Sequence, residues 1–254
     1  MNLVFASGFL IPQRFLGFDY FRGIKAQFEV RHETLFPVVS PLAGTAKRSR
    51  ELADAIHRTF PDGEIHIIAH SMGGLDSRVL IAQNLHGLSD PGRIASLTTL
   101  STPHRGSPVA DLIADPKPNG PHGAILDEAV ALIARFGVDT GAISDLTTAG
   151  ASRLPDVAKT HQHIRYRSYF AAGRPGPRAT SGLLAATHQF VQNVTGQKND
   201  GVVALESASY GDFQTPFWEC DHAEMVGYNF DNIPNLGGSR FDHHAHFEEI
   251  VAGL

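Results

Sequence analysis

A single cysteine, Cys220, stands among the 254 residues. No disulfide can form within the chain, whatever compartment holds it. No apolar run approaches the ~18 residues that a membrane-spanning helix needs. Excess charge is also scarce: 21 Lys and Arg against 26 Asp and Glu leave a net charge of −5. That balance supplies no field to recruit nucleic acid or an anionic membrane. Internal repeats and charged tails are missing. The stretch from Met1 to Ile11 is mildly apolar but has no basic residues and no clear cleavage site, so no signal peptide is expected. The expectation for compartment is cytoplasmic, or export by a route independent of such a signal. The oligomeric state is open.

What is present is the material of a globular domain. Hydrophobic residues make up 42% and charged residues 19%, which excludes the disordered classes. The length suits one large α/β domain with a core of its own.

Short apolar runs alternate with helical periodicity. Leu3 to Ala6 reads as a buried strand running into the turn Ser7-Gly8-Phe9, and Gln27 to His32 as a second strand. From Thr45 to Phe60 the apolar residues Leu52, Ala53, Ile56 and Phe60 recur at helical spacing, with Lys47, Arg48, Arg50, Glu51 and Asp54 mostly opposite. Pro61-Asp62-Gly63 ends that helix. Glu64 to Ala69 is a β-branched strand, followed by a helix through Leu85 and a strand from Ile94 to Leu100. This order predicts a mostly parallel sheet with helices on both faces. Between residues 108 and 155 the prolines 116, 118 and 121 interrupt the chain, and Ala124 to Phe136 reads as an apolar helix with little polar face. An insertion of that kind is a candidate lid over a site. Arg165 to Ala172 resumes as a strand, Val202 to Leu205 is a further short candidate, and Asp242 to Leu254 is a terminal helix.

The chemistry concentrates at Ala69-His70-Ser71-Met72-Gly73-Gly74, between a predicted strand and a predicted helix. A serine in that context occupies a strained turn with its hydroxyl exposed, and small residues are needed two positions to either side. Ala69 and Gly73 meet that need. The backbone N–H of Met72, opening the next helix, is a candidate oxyanion donor, and that of Phe9, after the first strand, is the second. A serine nucleophile requires a base and an orienting acid, which in this arrangement come later, acid first. Asp200 in Asn199-Asp200-Gly201 and His222 in Asp221-His222-Ala223-Glu224 fit that order. Asp212 and Asp221 are rivals for the acid, and His243, His244 and His246 for the base. Those three histidines, beside Asp242, also raise a metal site, but only His243 and His246 share a helix face, which is thin support for zinc. No metal and no cofactor are expected. His70 is read as a support of the turn.

Taken together, these segments resemble the bacterial true lipases of the Pseudomonas, Burkholderia and Proteus type, within the α/β-hydrolase superfamily. The resemblance covers most of the chain. It rests on Gly8-Phe9, Phe15 to Ile24, Val38 to Leu42, the helix at Arg50-Glu51-Leu52, Ala69 to Gly74, Thr102-Pro103-His104-Arg105-Gly106-Ser107, Asn199-Asp200-Gly201 and Asp221-His222. It implies an α/β-hydrolase fold with a helical lid and a Ser71–His222–Asp200 triad acting on lipid esters. Asp19 and Tyr20 would line the entrance. There are departures: Ser7-Gly8 stands where the family usually has His-Gly, and the disulfide of many relatives is impossible. Many relatives hold a structural calcium, one of whose carboxylates would be Glu224. No Asp or Glu lies between Asp156 and Asp200 to supply a second, so calcium is disfavoured.

The expected function is a serine carboxylic-ester hydrolase, a triacylglycerol lipase first, with a short-chain carboxylesterase or polyester hydrolase as the alternative on the same triad. A non-catalytic relative that only binds a ligand would lack a triad member. Dinucleotide chemistry lacks its glycine fingerprint.

Overall fold

The computed structural model describes residues 1–9, 13–15, 18–115, 140–173, 180–229, 237–238 and 241–254. Its centre is a six-stranded sheet of parallel pairings. β1 (Asn2–Ala6) is followed by a two-stranded ribbon of β2 (Arg14–Phe15) and β3 (Phe18–Asp19), a short helix α1 (Ile24–Phe28) and β4 (Glu33–Leu35). The chain then returns through α2 (Thr45–Thr59) to β5 (Ile65–His70), α3 (Met72–Ala82) and β6 (Ile94–Leu100). The spatial order is β4-β1-β5-β6, continued by β7 (Arg165–Tyr169) and β8 (Asp212–Phe213). β1 thus has β4 on one side and β5 on the other, and the direction of winding reverses there. In open parallel sheets that reversal opens a crevice at the carboxyl ends of the strands.

The central strands read as they do because both faces are covered. Every residue of β5, Ile-His-Ile-Ile-Ala-His, is buried, as expected for a parallel strand between two helical layers. One layer of the core gathers Phe5, Phe21, Phe28 and Phe247; the other gathers Leu52, Ile56, Ile67, Leu80 and Leu97.

Three expectations need correction. Residues 27–32 are no strand: Ile24 and Phe28, four apart and both buried, put one apolar face on a helical turn, and the strand begins at Glu33. Residues 202–205 make only an isolated bridge, Asn199 with Ala204, before a short helix from Leu205 to Ala208. Arg48 does not lie on the solvent face of α2. It falls four residues before Leu52 and eight before Ile56, on the buried face, and is wholly covered.

Of the segment 108–155, the structure describes α4 (Pro108–Ala114) and, after it, α5 (Thr140–Leu146) and α6 (Thr148–Ala151). The expected apolar helix 124–136 lies outside the described residues. Ala110, Ala142 and Leu146 from α4 and α5 pack on Met72 and Leu75 of α3, with Phe9 and Leu154 beside them. No helix among the described residues is long and apolar enough to cross a membrane.

Candidate active site

Ser71 occupies the junction between β5 and α3 with φ 54° and ψ −129°, a conformation that costs a non-glycine residue energy and persists only where the surroundings enforce it. They do so here. The Ser71 N–H donates to Leu100 O at 3.0 Å, and the Ser71 carbonyl accepts from Gly74 N at 3.1 Å. The two glycines that follow are demanded by close approach. A Cβ on Gly73 would strike the carbonyls of Ala6 and Ser7, and one on Gly74 would strike the Thr102 side chain. Ser71 retains 8% exposure, so the turn lifts its side chain to the edge of the core.

His222 lies in the loop after β8. Its Nδ1 is 2.7 Å from Asp200 Oδ2, and its backbone N–H donates to the Asp200 carbonyl at 3.0 Å. Asp200 is fully buried, and its second oxygen, Oδ1, accepts from Val202 N at 2.9 Å and Val203 N at 2.7 Å. A carboxylate held by three N–H donors is well compensated for leaving water. With Nδ1 turned to Asp200, His222 presents Nε2 to the rest of the site. Its ring centroid is 4.5 Å from that of His70, the residue before the serine. No hydrogen bond joins the Ser71 hydroxyl to His222 among the described residues; such contacts are often long in the absence of substrate.

The rivals find other partners. Asp221 is buried, and its oxygens accept from Ser181 N, Ser181 Oγ, Ala223 N and Glu224 N. Burial raises its carboxyl above the usual range. Asp212 lies in β8, on the sheet edge. His243 Nε2 bonds the Arg22 carbonyl at 2.8 Å, and His246 stacks on Trp218 and Phe241. Among the described residues no three His, Cys, Asp or Glu side chains are grouped to hold a metal. Glu224, the residue the resemblance assigns to calcium, is buried and accepts the Asp221 N–H at 3.0 Å. Calcium takes six to eight oxygens. Here the neighbouring carboxylate, Asp221, is already engaged by N–H and O–H donors.

The other wall of the crevice is Ser7-Gly8-Phe9. A Cβ on Gly8 would lie 2.8 Å from Ser71 Cβ and 2.5 Å from Tyr20 Oη, so only glycine lets this loop reach the serine. Neither the Phe9 nor the Met72 N–H has an acceptor among the described residues. Two groups hold this wall through contacts that the sequence reading did not give. The first is Arg48, whose guanidinium donates to Ser7 O at 2.8 Å, Gly8 O at 3.1 Å and Ser40 O at 3.1 Å, and to Asp76 Oδ2 of α3 at 2.8 Å. Burial pushes Asp76 up to about 6, against the pull of Arg48. The position of Arg48 on the Leu52–Ile56 face was the signal that it belongs inside. The second is the contact of Tyr20 Oη with His70 Nδ1 at 2.7 Å. Burial, then the neighbouring His222, holds His70 well below the ordinary histidine range, and burial holds Tyr20 above the ordinary tyrosine range. This pair is therefore neutral and structural, as the sequence reading of His70 expected.

The strand order, the turn at Ser71 and the crevice define an α/β-hydrolase fold. A metagenomic carboxyl esterase shares it over 99% of this chain and 74% of that one, with TM-score 0.72 at 18% identity. The curated relatives carry the name triacylglycerol lipase. Triacylglycerol lipase 2 of Saccharomyces cerevisiae is 27% identical over 222 residues, covering 84% of this chain and 64% of that protein. The triacylglycerol lipase of Burkholderia plantarii is 33% identical over 115 residues, 44% of this chain and 30% of that protein. The matched regions thus span from under one third to just under two thirds of these relatives. No family model matches the chain.

Proposed function

We propose that this chain is a serine carboxylic-ester hydrolase, with Ser71 as nucleophile, His222 as base and Asp200 as the orienting acid. The observation that carries the reading is the strained Ser71 turn at the carboxyl end of β5, with the Asp200–His222 pair brought to the residue beside it. Ser71 Oγ attacks the ester carbonyl as His222 Nε2 takes its proton. The carbonyl oxygen, now negative, is met by the N–H groups of Phe9 and Met72. His222 passes the proton to the departing alcohol, leaving an acyl-enzyme on Ser71. Water then attacks that ester with His222 again as base. Asp200 keeps the proton of neutral His222 on Nδ1 and balances the imidazolium formed at each attack.

Lipid esters are the favoured substrate class, triacylglycerol first. The names of the relatives support this. A lid over the site, from the 108–155 insertion, is part of the proposal. Short-chain or polymeric esters are the alternative on the same triad.

The test is labelling by a fluorophosphonate probe with hydrolysis of tributyrin and p-nitrophenyl esters of graded length. Ser71→Ala should abolish labelling and turnover together. Labelling that persists in that variant refutes the nucleophile assignment. A rate that does not rise on emulsified long-chain substrate selects the short-chain esterase.

A further inference from the structure

The loop after β6, Thr102 to Ser107, reaches across to the turn that carries Asp200. Its last residue, Ser107, is 97% buried by its 3% exposure and makes bonds in three directions. Its hydroxyl donates to Val202 O at 2.6 Å and accepts from Val109 N at 3.2 Å, capping α4. Its backbone N–H donates to Leu146 O, the last residue of α5, at 2.9 Å. Val202 is the residue whose N–H donates to Asp200 Oδ1. One hydroxyl therefore fixes the carbonyl of the residue whose N–H fixes the candidate acid.

Neighbouring bonds make the same junction firm. Ser207 Oγ donates to Gly106 O at 2.6 Å, and Ser207 O accepts from His104 N at 2.9 Å. Arg105 Nη1 donates to Ser209 O at 2.8 Å. An ordinary helix cap needs only the bond to Val109 N. The short bond to Val202 O is additional to capping, and it runs toward the site.

We propose that Ser107 is a positioning residue for Asp200, coupling the acid turn to the helices α4 and α5 of the 108–155 segment. The inference rests on the hydrolase reading above. Loss of the hydroxyl frees the Val202 peptide, lets the Asp200 carboxylate turn, and misaligns His222.

The experiment uses Ser107→Ala and Ser107→Thr in the full chain, alone and combined with Asp200→Asn, assayed on p-nitrophenyl butyrate. For Ser107→Ala a fall in kcat of about 10–100-fold is expected, since displacements of about 1 Å at a reacting group cost that much. KM should stay within about twofold, the mark of an interaction that matters in the transition state. Threonine, which keeps the hydroxyl, should restore most of the rate. In the Asp200→Asn background Ser107→Ala should cost nothing further, because the two act as one unit. If the alanine variant does not fold, Ser107→Cys, which keeps the volume and weakens the donor, is read in the same way. The inference is overturned, with the hydrolase reading intact, if Asp200→Asn is crippled while the Ser107 variant keeps its kcat. It is likewise overturned if Ser107→Ala costs its full factor again in the Asp200→Asn background. If Asp200→Asn itself turns over normally, the acid assignment fails and this inference with it.

Discussion

His222 is bonded to Asp200 twice, through Nδ1 to the carboxylate at 2.7 Å and through its backbone N–H to the carbonyl at 3.0 Å. The second bond leaves the loop in place when the first is lost. Asp200→Asn should therefore yield a folded protein with a misdirected imidazole, since an amide NH₂ facing Nδ1 favours the wrong tautomer. A fall in kcat of about 10³–10⁴-fold is expected, with thermal unfolding shifted little. Steady-state rates on p-nitrophenyl butyrate and a melting curve measure both. Retained activity would return the acid role to Asp212 or Asp221.

Arg48 makes a different kind of prediction, because it joins stability to the site. Removing it leaves Asp76 buried without its partner, which costs about 3–5 kcal/mol in comparable buried pairs. Arg48→Met should therefore lower the unfolding free energy on that scale. Arg48→Lys keeps a charge but cannot reach Ser7 O, Gly8 O and Asp76 at once. It should fold and lose kcat by about 10–100-fold through a loosened Phe9 N–H. An Arg48→Lys variant that folds and keeps its kcat would show that the loop contacts are without catalytic consequence.

Gly8→Ala tests the same wall by collision. The added methyl meets Ser71 Cβ at 2.8 Å and Tyr20 Oη at 2.5 Å, so the loop must retreat and take the Phe9 N–H with it. Loss of one oxyanion donor costs about 10²–10³-fold in turnover. Labelling of Ser71 should slow with turnover, because phosphonylation uses the same donors. A variant of normal rate would mean that Phe9 N–H does not face the reaction.

The nucleophile turn, the order of acid and base, and most central strands were legible because each depends on neighbours in sequence. Small residues flank Ser71, glycine follows Asp200, and β5 is rich in isoleucine. Residues 27–32 were misread because Phe28 and Val30 alternate with polar residues as in a strand, against the four-residue spacing of Ile24 and Phe28. Arg48, Tyr20 and Ser107 were legible only as types. Their roles come from distant partners, 28 residues away for Arg48 and Asp76, 50 for Tyr20 and His70, and 95 for Ser107 and Val202. No local pattern encodes such a pairing.

The buried histidines set how the fold responds to acid. His104 lies inside the protein with Nε2 3.1 Å from Thr99 Oγ1, Nδ1 3.5 Å from Arg78 Nη1, and its ring stacked on Tyr210 at 4.2 Å. Burial first, then the charges of Arg78 and Arg105, hold it well below the ordinary value of 6.5. A proton that the unfolded chain accepts below pH 6.5 is thus refused by the native state. The stability this neutral histidine contributes is present above pH 6.5 and is lost progressively as the pH falls, by about 1.4 kcal/mol per unit for each such group. His70 adds a second proton of the same sign. Asp76 acts oppositely: its native value of about 6 against 3.8 makes its contribution fall as pH rises across that window. Urea unfolding of the wild type should therefore show declining stability from pH 7 toward pH 5. His104→Gln, which keeps a donor toward Thr99, should be less stable at pH 8 for want of the stacked ring, yet should lose about one proton's worth less on acidification. Parallel pH curves for the two proteins would exclude His104 as a source of the acid sensitivity.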